Sequence, residues 1–437
     1  MIAMVIKNLK AVLGLGLLIF AGVLQAGALE TYVNQPDASY SWEQVEQKQT
    51  ERFAITHLKL VSQTWREHEW THHLKVVRFT EGQNSHIAFL CITGDGEGAE
   101  QIETLKLLAE RAGAVAAVVT NVPNQPLYDG RTEDALIAYT LDQYLKTGDE
   151  TWPLLFPMVK SAVRAMDAVQ EFSRKHYGQR IDGFVVSGAS KRGWTTWLTA
   201  AADSRLRGIA PMVIDMLNIK AQSEWARKVY GRQSEKIDDY VELGLTRKDE
   251  TEEMKKLRGW VDPYSYRERY TMPKLLLLGT NDPYWTVDAL RHYWDDLPAP
   301  KLIFQTPNAG HDLAGGEEAV QSLAAFFQMI ADGRKLPSMH WQFKDTHHGE
   351  AELLVSVDQP VRSIRLWTAD SIDRDFRNDK WSSQELDITP GSAQASAAIA
   401  MPQEGYRAYL VEARLTLPTG ETYKLSTEAR VIPDNIE

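Results

Sequence analysis

Cysteine is nearly absent from this chain of 437 residues, where Cys91 stands alone. A single thiol forms neither an intramolecular disulfide nor a thiolate zinc cluster, so stability has to come from a packed core. Positive charge is short as well: 48 Lys and Arg face 59 Asp and Glu, for a net charge of −11. That balance excludes a broadly basic surface for nucleic acid. After the N-terminal stretch no apolar run approaches the ~20 residues of a membrane-spanning helix. Internal repeats and low-complexity tracts are also lacking. With 43% hydrophobic and 24% charged residues the composition is globular, and the length allows two or three domains. Tryptophan, by contrast, is plentiful at 13 residues. Most of these rings belong in a large aromatic core, and exposed ones would suit a sugar or peptide.

The N-terminus has the layout of a secretory signal. Lys7 and Lys10 form a short positive region, residues 11–24 are uncharged and mostly apolar, and Ala26-Gly27-Ala28 offers small residues for cleavage. Residues 1–28 therefore predict a signal peptide and a periplasmic or secreted protein, with no transmembrane segment in the mature chain.

Residues 53–62 and 73–79 alternate or run apolar and predict antiparallel strands. From residue 86 the pattern changes to strand and helix in alternation. Residues 86–92 form an apolar strand, closed by Thr93-Gly94-Asp95-Gly96. Ile102, Leu105, Leu108 and Ala112 then recur at helical spacing, with Gly113 as a stop. Further strands are expected at 114–120, 183–186, 208–214, 274–278 and 301–305. Helices are expected near 132–146, 157–176, 191–202, 287–294 and 317–331. Strands apolar on both sides, separated by helices, imply an α/β fold with a mostly parallel sheet covered on both faces. Two segments break this rhythm. Residues 219–271 are charged and helical in pattern and read as an inserted cap. Beyond 335 short strands follow at 352–357, 362–368, 393–400, 406–416 and 422–427, which predicts a β-sandwich-like domain over 335–437 after a 29–334 core.

The sharpest chemical signal is Phe184-Val185-Val186-Ser187-Gly188-Ala189-Ser190-Lys191-Arg192-Gly193. A strand, tight turn and helix in this order is the setting of a nucleophile elbow, in which small neighbours let strand and helix pass closely around a strained serine. The second glycine arrives one place late, with Arg192 before Gly193. A serine needs a base and the base needs an orienting carboxylate, in the α/β-hydrolase order serine, acid, histidine. Asp282 follows the strand at 274–278, and His311 follows the strand at 301–305 within Asn308-Ala309-Gly310-His311. Ser190, Asp282 and His311 would then meet at the C-terminal ends of three strands. The backbone amide of Lys191 is one expected oxyanion donor, and Gly94 or Asp95 the other.

Several segments resemble the PhoPQ-activated pathogenicity-related proteins: Val122-Pro123-Asn124-Gln125-Pro126-Leu127, Arg131-Thr132-Glu133-Asp134 with Ile137-Ala138-Tyr139-Thr140, the run 188–201, Asp262-Pro263-Tyr264 and residues 370–377. The resemblance covers nearly all of the chain after residue 28. It implies an exported α/β-hydrolase whose serine, acid and histidine map onto Ser190, Asp282 and His311. At the acid the family usually has Gly-Asp-Glu-Phe-Phe-like residues, where this chain has Asn281-Asp282-Pro283-Tyr284-Trp285.

The substrate is expected to be a small molecule, a sugar ester or a peptide, cleaved through an acyl-Ser190 intermediate. The elbow also resembles that of glucuronoyl esterases, which act on sugar esters. Trp194, Trp260 and Trp285 are candidates for stacking on a ring, and Arg192 for binding a substrate carboxylate. A serine peptidase, or a binding or signalling protein on the same scaffold, are the rival readings. His72-His73 and His347-His348 lack partners at ligand spacing, so neither a metal nor a cofactor is expected.

Overall fold

In the computed structural model, which describes residues 27–81, 85–345, 350–389 and 392–435, the chain enters through a short helix. This helix, α1 (Ala28–Asn34), buries Leu29 and Val33. Three antiparallel strands follow, β1 (Ser41–Gln49), β2 (Phe53–Trp65) and β3 (His68–Phe79). Along β2, Ala54, Thr56, Leu58 and Leu60 are buried in alternation with more exposed neighbours, the period of a strand with one covered face. The alternating segment that follows contains β4 (Ile87–Ile92), α2 (Ile102–Ala112), β5 (Val115–Val119), α3 (Glu133–Thr147), α4 (Leu155–Phe172), β6 (Gly183–Ala189), α5 (Lys191–Ala202) and β7 (Leu206–Met212). Gly113 ends α2 at φ 54°, a left-handed position that glycine takes without strain.

Residues 219–271 are helical: α6 (Ile219–Tyr230), α7 (Asp238–Glu242), α8 (Glu252–Val261) and a 3₁₀ stretch. They precede β8 (Lys274–Gly279), β9 (Lys301–Thr306) and α9 (Glu317–Ala331). The nine strands form one sheet in the order β1-β2-β3-β5-β4-β6-β7-β8-β9, with the last six parallel. Helices α2 and α9 cover one face, and α1, α4 and α5 the other. The strands between them are buried almost throughout, as a doubly covered sheet requires.

The helix expected near 287–294 is a single 3₁₀ turn, Ala289–His292. Val287, Leu290 and Trp294 are buried as the helical period implied, but the chain bends around Asp288, whose carboxylate takes bonds from Trp225, Arg291 and Arg374. The helix expected over 157–176 starts earlier, at Leu155, and its last turn, Ser173–Tyr177, widens to a π-helix.

The C-terminal strands are β10 (Met339–Asp345), β11 (Glu350–Val357), β12 (Val361–Ser371), β13 (Ser382–Leu386), β14 (Gln394–Ala400), β15 (Tyr406–Thr416), β16 (Thr422–Ser426) and β17 (Arg430–Ile432). A sheet β10-β11-β14 faces a sheet β13-β12-β15-β16 across Leu353, Ile364, Leu366, Ala397 and Val411. Farther along the same side of the second sheet, Ala413, Leu415, Tyr423 and Leu425 join the cluster beneath α9. Strands β1, β10, β13 and β17 were not anticipated. Among the described residues no helix is long and apolar enough to cross a membrane. The expected signal segment lies, up to residue 26, outside the described residues, as do His347 and His348.

Candidate functional site

Ser190 sits between β6 and α5 at φ 57°, ψ −123°, outside the regions an L-residue prefers. Such a conformation costs on the order of 1–3 kcal/mol and persists only when its surroundings enforce it. Here Ser190 N–H donates to Met212 O at 2.8 Å, and Ser190 O accepts from Trp194 N–H at 3.0 Å. Steric need explains the shifted glycine. A Cβ on Gly193 would lie 2.7 Å from Ile214 Cγ2 and 2.9 Å from Gly188 O, and one on Gly188 would lie 2.6 Å from Arg192 O.

Arg192 itself turns away from the site. Its Nε donates to Val122 O at 2.6 Å, and its two terminal nitrogens grip both oxygens of Glu133 at 2.7 and 2.6 Å. Burial would raise the Glu133 carboxyl, but the bonds and charge of Arg192 outweigh it and hold the group down at about 2. Arg192 is thus a buried clamp held by three hydrogen bonds, and it does not line the cavity beside Ser190. This corrects the expectation of a carboxylate-binding residue. The expected second oxyanion donors, Gly94 and Asp95, likewise stand apart from that cavity. Arg192 packs on Gly94, where a Cβ would be 2.7 Å from Cζ. The Gly94 carbonyl accepts from Asn121 N–H at 2.7 Å, and the exposed Asp95 carboxylate takes Gln125 Nε2 at 3.1 Å. Lys191 stays at the site, with its amide in the first turn of α5, where backbone N–H groups lack helical partners.

The acid and histidine loops leave β8 and β9 at the same sheet edge. They are laced together by Asn281 N–H to Ala309 O (2.9 Å) and Asn308 N–H to Thr280 Oγ1 (3.0 Å). His311 Nδ1 and Asp282 Oδ2 are 2.8 Å apart, and Asp282 Oδ1 accepts the Tyr284 N–H at 3.0 Å. The Tyr284 ring lies over the imidazole, with centroids 4.4 Å apart and planes 31° from parallel. His311 Nε2 is buried with no hydrogen-bond partner, so the structure joins acid to histidine but does not bond histidine to serine.

Ser190 opens on a cavity of about 170 Å³ between the sheet edge and the 219–271 segment. Trp194 and Trp285 line it. Trp260 does not, since its ring packs on Tyr144 and Phe156 at 5.1 and 6.3 Å. Of the lining residues that escaped the sequence reading, three are tied to the expected site. Tyr284 is one. Another is Asp134, which accepts from Lys191 Nζ at 2.8 Å and from Tyr240 Oη at 2.9 Å. Its signal was present in the Glu133-Asp134 pair of the family-like motif. Tyr240, on α7, is the third. Burial would lower the Lys191 amine, but the Asp134 and Glu133 carboxylates outweigh it and hold it above its ordinary value. Behind Asp282 lies Asp215, whose carboxyl is pushed up to about 7, first by burial and then by the charges of Asp282 and Asp288, against the pull of the Tyr293 hydroxyl at 2.6 Å. His72 is a core residue, with its two nitrogens bonded to Thr120 O and Ser62 Oγ, each at 2.8 Å.

A mostly parallel sheet of this order, with a serine elbow after β6, defines the α/β-hydrolase fold. The chain belongs to a family within it, described as PhoPQ-activated pathogenicity-related protein, whose profile matches residues 29–377. It is 30% identical over 452 aligned positions to autocrine proliferation repressor protein A of Dictyostelium discoideum, covering 93% of this chain and 91% of the relative. Among solved structures it resembles an acetyl xylan esterase from Paenibacillus sp. R4 (TM-score 0.50, 16% identity, 68% of this chain and 92% of that one). It also resembles acetyl xylan esterase 1 from Thermoanaerobacterium sp. JW/SL YS485 (TM-score 0.50, 17% identity, 70% and 92%). At such identities the likeness concerns the fold.

Proposed function

We propose that the protein is an exported serine hydrolase that cleaves an ester or amide through an acyl-Ser190 intermediate. The observation that carries this reading is the 2.8 Å bond between His311 and Asp282 at the sheet edge where Ser190 is held in its strained turn. Asp282 fixes the imidazole with its proton on Nδ1, leaving Nε2 free to take a proton from Ser190 Oγ. Attack on the substrate carbonyl then puts negative charge on its oxygen, next to the Lys191 amide at the start of α5. His311 returns the proton to the leaving group, and water, activated by the same imidazole, releases the acid. Closing the gap between Nε2 and Oγ is assigned to substrate binding, since such bonds are often loose in the free enzyme. The signal-like N-terminus supports export.

The test is labelling of the purified protein with a fluorophosphonate, followed by peptide mapping, with Ser190→Ala as control. An adduct on Ser190 that the variant lacks is expected, and no adduct on folded protein would overturn the reading. A second reading, a binding or signalling protein that uses the scaffold without turnover, draws support from the name of the Dictyostelium relative and from the unbonded Nε2. Under that reading Ser190→Ala would keep full biological activity.

A further inference from the structure

The cavity beside Ser190 changes character with depth. The buried part of its wall is apolar, formed by Trp194, Ile214 and Met216 from the core and Met254, Leu257 and Val261 from α8. The exposed part is charged, with Lys220, Glu224, Arg247 and Lys248. Most polar groups that do reach the buried wall are already paired. Lys191, Asp134 and Tyr240 bond one another. Gln222 Nε2 donates to the carbonyls of Leu217 and Ala289, and Trp194 Nε1 donates to Val261 O at 2.6 Å. Trp285 Nε1, Thr286 Oγ1 and Glu250 Oε2 are buried without hydrogen-bond partners, enough to meet one or two polar groups of a substrate. A sugar placed here would bury several hydroxyls against groups with nothing to offer them, which is costly. A hydrocarbon would lose water at no such cost.

We propose that this cavity binds the acyl group of the substrate, and that the group is an apolar chain or ring of several carbons rather than an acetyl group or a sugar acid. The acyl group stays on Ser190 through the intermediate, so the enclosed apolar end suits it, while the leaving group departs through the charged mouth. This assignment rests on Ser190 being the nucleophile.

The experiment is the inactivation rate of the full-length mature protein by p-nitrophenyl alkylphosphonates of increasing alkyl length, ethyl to octyl, alongside hydrolysis of the matching p-nitrophenyl acyl esters. The phosphonate forms a bond from Ser190 Oγ to phosphorus and expels p-nitrophenolate, so labelling and chain preference are read together. The second-order rate constant is expected to rise by up to about fourfold per methylene over the first few carbons. In Leu257→Trp, which fills the buried end, that slope is expected to flatten, the comparison being between slopes rather than absolute rates. A rate that is flat or falls with length, with the adduct mapped to Ser190, overturns the apolar-acyl assignment and leaves the hydrolase standing. No adduct with any member of the series overturns both.

Discussion

Asn308 and Trp381 hold each other in both directions: Asn308 Oδ1 accepts the Trp381 N–H at 2.8 Å, and Asn308 Nδ2 donates to the Trp381 carbonyl at 3.0 Å. Asn308 stands three places before His311. Its counterpart Asn281, next to Asp282, donates through Nδ2 to the carbonyls of Phe376 and Asp379 at 2.9 and 2.8 Å. One C-terminal segment therefore braces both loops that supply the acid–histidine pair. The same segment reaches the 219–271 region, where Arg377 pairs with Glu235 at 3.1 Å and Arg374 lies over the Trp225 ring. The connection between β12 and β13 thus braces the site without lining its cavity.

That brace predicts a loss of activity from residues remote from the cavity. Asn308 has φ 58°, so Asn308→Gly keeps the backbone accessible while removing both side-chain bonds. It is expected to lower stability by about 1–2 kcal/mol. Fluorophosphonate labelling is expected to slow roughly tenfold, the scale of a small misplacement of a catalytic group. Thermal unfolding and labelling kinetics on the same sample check both. Unchanged labelling at a lowered Tm would restrict the brace to stability.

Asp282→Asn tests the orienting bond. An amide in this place favours the wrong imidazole tautomer, and a fall of about 10³–10⁴ in turnover is expected. The fold is expected to survive, because an Asn oxygen can still accept the Tyr284 N–H. Turnover measured across pH, with Tm as a control, separates the two effects.

The legible parts of this chain are those where burial imposes a pattern. The apolar runs of β5, β8 and β9 and the elbow could be read because a doubly covered sheet and a close strand–helix crossing leave few residue choices. Strand β1 could not. It is an exposed edge carrying Glu43, Glu46 and Lys48, and Val45 sits at its bulge, so no alternation survives. Strand β13 is likewise exposed. The role of Arg192 was hidden because its partner Glu133 is 59 residues away in sequence. A charged residue beside a nucleophile looks the same in sequence whether it faces substrate or a buried carboxylate. Asp134 and Tyr240 were missed for the same reason, being joined only by the packing of α3 against α7.

The displaced glycine of the elbow makes a steric prediction with its own control. Gly193→Ala places a methyl group against Ile214 Cγ2 and Gly188 O. It is expected to cost about 1–3 kcal/mol as overpacking. Gly259→Ala, within α8 where an added Cβ meets nothing within 4 Å, is expected to stabilise by roughly 0.5–1 kcal/mol through helix propensity. Chemical denaturation midpoints of the two variants should move in opposite directions.

Two buried acids near the site behave oppositely, and this fixes a pH dependence. Burial raises both, but at Asp288 the charges of Arg374 and Arg291 and the bond from Trp225 outweigh it and hold the carboxyl below its ordinary value. Asp215 has one neutral donor, Tyr293, and acidic neighbours, so its carboxyl stands at about 7 against 3.8 in the unfolded chain. Between those values the folded protein keeps a proton that the unfolded chain gives up. The slope of stability with pH is then negative, and this group's contribution falls from about pH 4 to pH 7 and is level above. Asp215→Asn cannot ionise and removes the fall. Its Tm relative to wild type is expected to climb as pH rises from 5 to 8, by an amount of order 1–4 kcal/mol in stability. A Tm difference that stays constant over that interval would mean that Asp215 is ionised in the folded protein, with Tyr293 donating to a charged carboxylate.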